Sequence, residues 1–197
     1  MRQPDKVVRF YHYNMATSPR SNRGPGAAAE NRAALIAAAR SIFATHGLDA
    51  PLSSVARQAG VGQGSLYRHF PTRYSLAVAV FQENADELEA IASRPGSTLD
   101  DVLRAITDQA VVSTAFFEMI EIERSDVAGQ QLAHRISTIV TSKMPEAHAS
   151  GRAPDWVTSD DVILGVAMLV GALAKTAVDE RRAVAARAWS LLPFGPR

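Results

Sequence analysis

Between Gly60 and Pro71 the chain reads GVGQGSLYRHFP. On a helix, residues four apart share a face, so Gln63 aligns with Tyr67, Ser65 with His69 and Leu66 with Phe70. One row is apolar. The others carry amide, hydroxyl, phenol and imidazole groups, with the Arg68 guanidinium beside them. That is hydrogen-bonding chemistry, not bond-making chemistry. Catalytic signatures are missing from the sequence: there is no HExxH, no Gly-x-Ser-x-Gly and no nucleotide-binding glycine loop. The histidines (His12, His46, His69, His134, His148) have no metal-ligand spacing. The absence of cysteine excludes disulfides, Cys-containing zinc sites and thiol catalysis. No enzymatic activity, metal or cofactor is expected.

The partner class is suggested by charge. Residues 1–74 carry 10 Lys+Arg against 3 Asp+Glu, whereas residues 75–197 carry 11 against 17, although the net charge is only +1. A basic head on an acidic body suits a polyanion. A solvated basic face with a basic tail fits the same count. With 47% apolar and 21% charged residues the chain can build a core. No apolar run is long enough for a membrane span; the longest, near Val162 to Leu173, is ended by Lys175. The first 15 residues have no sustained apolar stretch of the signal-peptide kind, so a cytoplasmic location is expected.

The elements that must position these residues read as all-α, about nine helices. Residues 1–27 hold Pro4, Pro19, Gly24, Pro25 and Gly26 and read as a disordered leader. Within it Arg20 and Arg23 suit either a DNA-touching arm or a dispensable segment, and Met15 can serve as a start. From Ala28, Leu35, Ile36, Ala39, Ile42 and Phe43 fall at helical spacing up to Gly47. Pro51 suits a first helical turn, and Leu52, Val55 and Ala59 form a short stripe ended by Gly60. A Gly60-Val61-Gly62 turn then leads into the Gln63–Phe70 helix, with Val61 pinning the turn to the core and glycine allowing a positive φ. Pro71 ends this helix, and Thr72 caps the next, from Arg73 to Ala92. Helix, short helix, turn, short helix over residues 28–74 is helix-turn-helix geometry. Residues 75–197 form a second, helical unit.

GVGQGSLYRHFPTRYSL resembles the DNA-binding signature of the TetR (tetracycline-repressor-like) family, in which a Gly-Val turn leads into a Gly-Thr/Ser-Leu-Tyr-X-His-Phe helix. DAPLSSVARQAG and His46-Gly47 fit the same pattern, and the resemblance covers roughly residues 30–80. APDWVTSDDVILGVAMLVGAL resembles the linker and penultimate helix of many members. Two departures bear on operator preference. Gly62-Gln63 stand where Ser-Lys is common, which removes a cation, and Tyr74 stands where an acid is usual.

The resemblance implies that the Gln63–Phe70 helix enters the major groove. Gln63 can then pair with an adenine edge or a phosphate, and Arg68 can grip O6 and N7 of guanine. Gly64 lets the backbone approach, and Ser65 can donate to a base or phosphate. Tyr67 and His69 match family positions that contact the DNA backbone; by residue type alone they would equally cover the small core. Ser53, Ser54, Arg57, Thr72, Arg73 and Arg32 are phosphate candidates. Leu66, Phe70, Val55, Ile36 and Phe43 are core.

In the body, Ser97 or Thr98 caps a helix beginning at Leu99, with Asp100 and Asp101 in its first turn. A further helix from Asp126 ends near Pro145, and HASGRAPDW is a loop. A very apolar helix from Asp160 to Val178 follows, begun at Thr158 or Ser159, and a last helix precedes Pro193. Val162, Ile163, Val166, Leu169, Val170 and Leu173 call for burial on several sides, and Gly165, Gly171 and Ala172 would admit a close partner. With Val184, Ala188, Leu191 and Leu192 these helices, near 160–178 and 180–192, are expected to form half of a four-helix homodimer interface. Phe81, Phe116, Phe117, Met119, Ile120, Ile139, Trp156 and Met168 are expected to line an apolar effector cavity or else to fill core. Glu118, Glu121 and Glu123 suit a cationic ligand or a solvated face. The function implied is a ligand-responsive regulator, a repressor that binds a palindromic operator as a homodimer and is released by a small molecule. The alternative is an activator or non-specific DNA-binding protein without an effector.

Overall fold

The computed structural model describes residues 25–112, 114 and 127–196. These form eight helices and no strand: α1 Pro25–His46, α2 Leu52–Gln58, α3 Gln63–His69, α4 Arg73–Ala92, α5 Leu99–Val112, α6 Val127–Ala149, α7 Ser159–Ala174 and α8 Arg181–Trp189. The all-α expectation holds.

Local chemistry accounts for most boundaries. α1 starts at Pro25, three residues before the helix read from Ala28, because proline is well accommodated where the first-turn N–H has no partner anyway. The rest of the expected leader lies outside the described residues. Gly47 (φ 72°) ends α1 and Gly60 (φ 66°) makes the α2–α3 turn. Gly62 has φ −63° and needs no such freedom. Val61 is half-buried against the head's core, as expected for the residue that pins the turn. Thr72 and Ser75 form a reciprocal capping box at the start of α4, and Thr158 and Asp161 do the same for α7. At α5 the Thr98 hydroxyl accepts from the Asp101 N–H, while the Thr98 N–H and hydroxyl donate to the Asp101 carboxylate at 2.9 and 2.8 Å.

Two boundaries differ from the expectation. α6 runs through Pro145 to Ala149. The bond that proline removes would have gone to Thr141, and both residues are exposed, so water can serve the freed carbonyl. Met144 and Ala147, buried on the inner face, hold the last turn. α7 stops at Ala174 instead of Val178 because Lys175 and Thr176 close onto the carbonyls of Ala172 and Leu173.

Packing yields two apolar clusters. The head's cluster joins Leu35, Ile36, Phe43, Val55, Leu66 and Phe70 to the α4 face from Leu76 to Ala85, with Leu132 of α6 against it. The body's cluster gathers Leu88 of α4 with α5, α6, α7, Trp189 and Phe194. Gly165 belongs here: it faces Phe194 and Leu192 of its own chain, not a partner. Of the residues expected at the dimer face, Val162, Val166, Leu169, Val170 and Leu173 are buried within the subunit. Exposed on the outer side are Leu164, Met168, Gly171, Ala172 and Leu191.

Candidate nucleic-acid interface

The sequence GQGSLYRHF folds so that α3 turns Leu66 and Phe70 inward and leaves one face bare. Gln63, Gly64, Tyr67 and Arg68 are exposed on it, and Ser65 and His69 are half-buried at its edge. Tyr67 is 53% exposed, which favours outward contact over covering the core. A Cβ built on Gly64 would meet nothing within 4 Å. No described residue therefore requires glycine there, although glycine weakens a helix by about 1 kcal/mol relative to alanine.

The flanking candidates divide. Ser53 and Arg57 of α2 are exposed, and Ser54 is half-buried. Ser54 and Arg57 share a cleft of about 230 Å³ with Ile42, His46 and Pro51. Arg32 of α1 is exposed, its guanidinium 5.4 Å from the centroid of the Phe70 ring, which is a cation–π contact. Thr72 is exposed but its hydroxyl oxygen already accepts from the Ser75 N–H at 3.0 Å. Arg73, expected at a phosphate, donates through Nη1 to the carbonyls of Leu48 and Ala50. These are carbonyls of the α1–α2 connection, and the arginine fastens that loop to α4.

The effector candidates among the described residues do not converge. Phe81 is buried in the head's cluster and lines a cleft of about 260 Å³ between α1, α4 and α5, with Arg40, Phe43, Asn84 and Val112. Ile139 is buried in the body's cluster and borders a separate α4–α6 groove beside Arg135. Trp156 (69% exposed) and Met168 (61% exposed) both face outward, one on the loop before α7 and the other on the outer side of α7. Phe116, Phe117, Met119 and Ile120, with Glu118, Glu121 and Glu123, lie outside the described residues. No group of acids and histidines suited to a metal occurs among the described residues. No helix there is long and apolar enough to cross a membrane.

Residues that the sequence reading passed over fasten α4 to α1 on one side and to α6 on the other. Arg40 of α1 donates to Glu83 and Glu87 of α4, at 3.1 and 2.7 Å. Arg135 of α6 donates to Asp86 and Glu89 of α4, at 2.5 and 2.7 Å. The hydrogen bond from Arg135 holds the Glu89 carboxyl below its ordinary range, and the two acids raise the pKa of Arg135 in return. The acid-rich ENADELE run was the only local signal. A helix face of acids does not say which cation it meets.

Comparison with known proteins bears on this geometry. The family model described as bacterial regulatory proteins, tetR family, matches residues 35–80, the span from mid-α1 into α4. No curated protein matches the chain. Among solved structures, a TetR transcriptional regulator of Streptomyces coelicolor is 29% identical with TM-score 0.61, over 84% of this chain and 98% of that one. The TetR-family protein CprB of S. coelicolor is 25% identical with TM-score 0.59, over 86% and 89%. A TetR transcription regulatory protein from Mycobacterium vanbaalenii is 25% identical with TM-score 0.53, over 83% and 95%. The head thus matches the model of the tetR family of bacterial regulatory proteins, and the fold along the described helices is similar to that of solved TetR regulators.

Proposed function

We propose that the protein is a ligand-responsive transcriptional regulator: a homodimer that binds a palindromic operator, represses, and is released by a small molecule. The observation that carries this reading is the α3 face. Gln63, Gly64, Tyr67 and Arg68 stand exposed on a short helix whose opposite side, Leu66 and Phe70, is buried in the head. In the groove Gln63 and Arg68 read base edges, while Ser53, Arg57 and Arg32 neutralise phosphates around them. Dimerisation is supported by the outer stripe of Leu164, Met168, Gly171 and Ala172 on α7, with Leu191 beyond α8. A helix-turn-helix reader normally uses two half-sites about one turn apart. A ligand that binds the DNA-free arrangement better than the DNA-bound one lowers operator affinity by that difference. Phe81 and Ile139 remain effector candidates through the clefts they border on either side of α4.

Selection of bound duplexes from a random pool by the purified protein, at near-physiological salt, tests the reading. An enriched inverted repeat is expected. Weak binding with no enrichment and a steep salt dependence would instead mark a non-specific binder. Leu164→Glu with Met168→Glu is expected to turn a dimer into a folded monomer by analytical ultracentrifugation. A dimer that survives both changes has its interface elsewhere.

A further inference from the structure

α4 runs through both apolar clusters, with Leu76 to Ala85 in the head's and Leu88 in the body's. The hydrophobic effect is non-directional. Guanidinium–carboxylate contact is directional, especially when one guanidinium engages two acids. α4 is held this way from both sides. Arg40 reaches it from α1 and Arg135 from α6, and their acids interleave in the order Glu83, Asp86, Glu87, Glu89. With 3.6 residues per turn, the two acid pairs point about 110° apart around the helix. A third cation sits at the far end, where Lys143 of α6 donates to the carbonyls of Ala92 and Ser97 at 2.5 and 3.0 Å. Rotation of α4 about its axis carries both acid pairs away from their arginines together. The angle between head and body is thereby fixed more sharply than the apolar contacts require.

We propose that Arg40 and Arg135 are positioning residues that set the angle of the DNA-reading head on the body, and so the separation of the two α3 helices. This rests on the dimeric reading above. Neither arginine lies on α2 or α3, so each half-site contact is left intact when a clamp is removed.

The test uses the full chain and the operator recovered by selection, remade with its spacer lengthened or shortened by one or two base pairs, together with a single half-site duplex. Arg40→Gln and Arg135→Gln are each expected to shrink the preference for the native spacer by about three- to tenfold, the scale of one or two partly exposed ion pairs. Affinity for the single half-site stays within about twofold, since its phosphate and base contacts are unchanged. Glu83→Gln with Glu87→Gln, substitutions at the acid end of the same pair, should reproduce the effect of Arg40→Gln and add nothing to it. Retention of the native spacer preference by all these variants overturns the proposal. So does an equal loss of half-site affinity, which would mean only a weakened head. If the unsubstituted protein binds the selected operator with no spacer preference, the dimeric-operator reading itself fails.

Discussion

A Cβ placed on Gly165 of α7 would lie 2.8 Å from Cζ of Phe194, so the missing side chain is the space into which that ring is seated. The ring also meets Trp189 edge-on, with centroids 6.4 Å apart, and Trp189 Nε1 donates to the Thr107 hydroxyl of α5 at 2.8 Å. Residues beyond α8 thus belong to the body's core. Phe194→Ala is expected to lower unfolding free energy by about 3–5 kcal/mol, the range for removing a buried phenylalanine. Gly165→Ala should cost about 1–3 kcal/mol by overpacking. Urea denaturation measures both, and a loss below about 1 kcal/mol for Phe194→Ala would show that the seat is not part of the core.

The three arginines near the interface should fail in different ways. Arg68→Ala is expected to cost about 1–3 kcal/mol of specific binding and to relax sequence choice. Arg57→Ala weakens binding to all sequences alike and lowers the salt slope by about one. Arg73→Ala leaves the slope unchanged and lowers stability, because the Leu48 and Ala50 carbonyls lose their donor. Anisotropy titrations across a salt series separate the three, and a reduced slope for Arg73→Ala would restore it as a phosphate ligand.

Gly64 offers a sharper case. Alanine there meets no atom of the described residues and favours the helix, so the melting temperature should hold or rise. Operator affinity should nonetheless fall by about tenfold, or ~1.4 kcal/mol, if the backbone comes close to DNA. Unchanged affinity would remove Gly64 from the interface.

Two carboxylates tie stability to acid pH. Asp101 is held below its ordinary pKa, first by the Thr98 backbone N–H and then by the Thr98 hydroxyl. Glu89 is lowered by Arg135. Because the folded values are depressed, their stabilisation is complete above the unfolded range near pH 4 and is lost as pH falls through the folded values. Thr98→Ala is expected to cost about 1 kcal/mol at neutral pH. The stability gap between the unsubstituted protein and Asp101→Asn should close on acidification. A gap that stays constant from pH 7 to pH 2 would mean that the Asp101 charge contributes nothing.

What could be read from the sequence was the chemistry carried by neighbouring residues. Thr72 and Ser75, Thr98 and Asp101, and Thr158 and Asp161 cap their helices within one turn, so those starts follow from composition and spacing. The apolar row of Leu66 and Phe70 and the bare row beside it follow from helical periodicity, and the α3 face with them. The tertiary structure decided which distant groups meet. It gave Arg73 the carbonyls of Leu48 and Ala50 as partners, seated Phe194 against Gly165, and left Trp156 and Met168 at the surface. It also brought Arg40 and Arg135 to the acids of α4. Periodicity shows that a face is apolar or charged, but not what covers it. That choice depends on how helices far apart in the chain fill one another's gaps, and no local pattern encodes it.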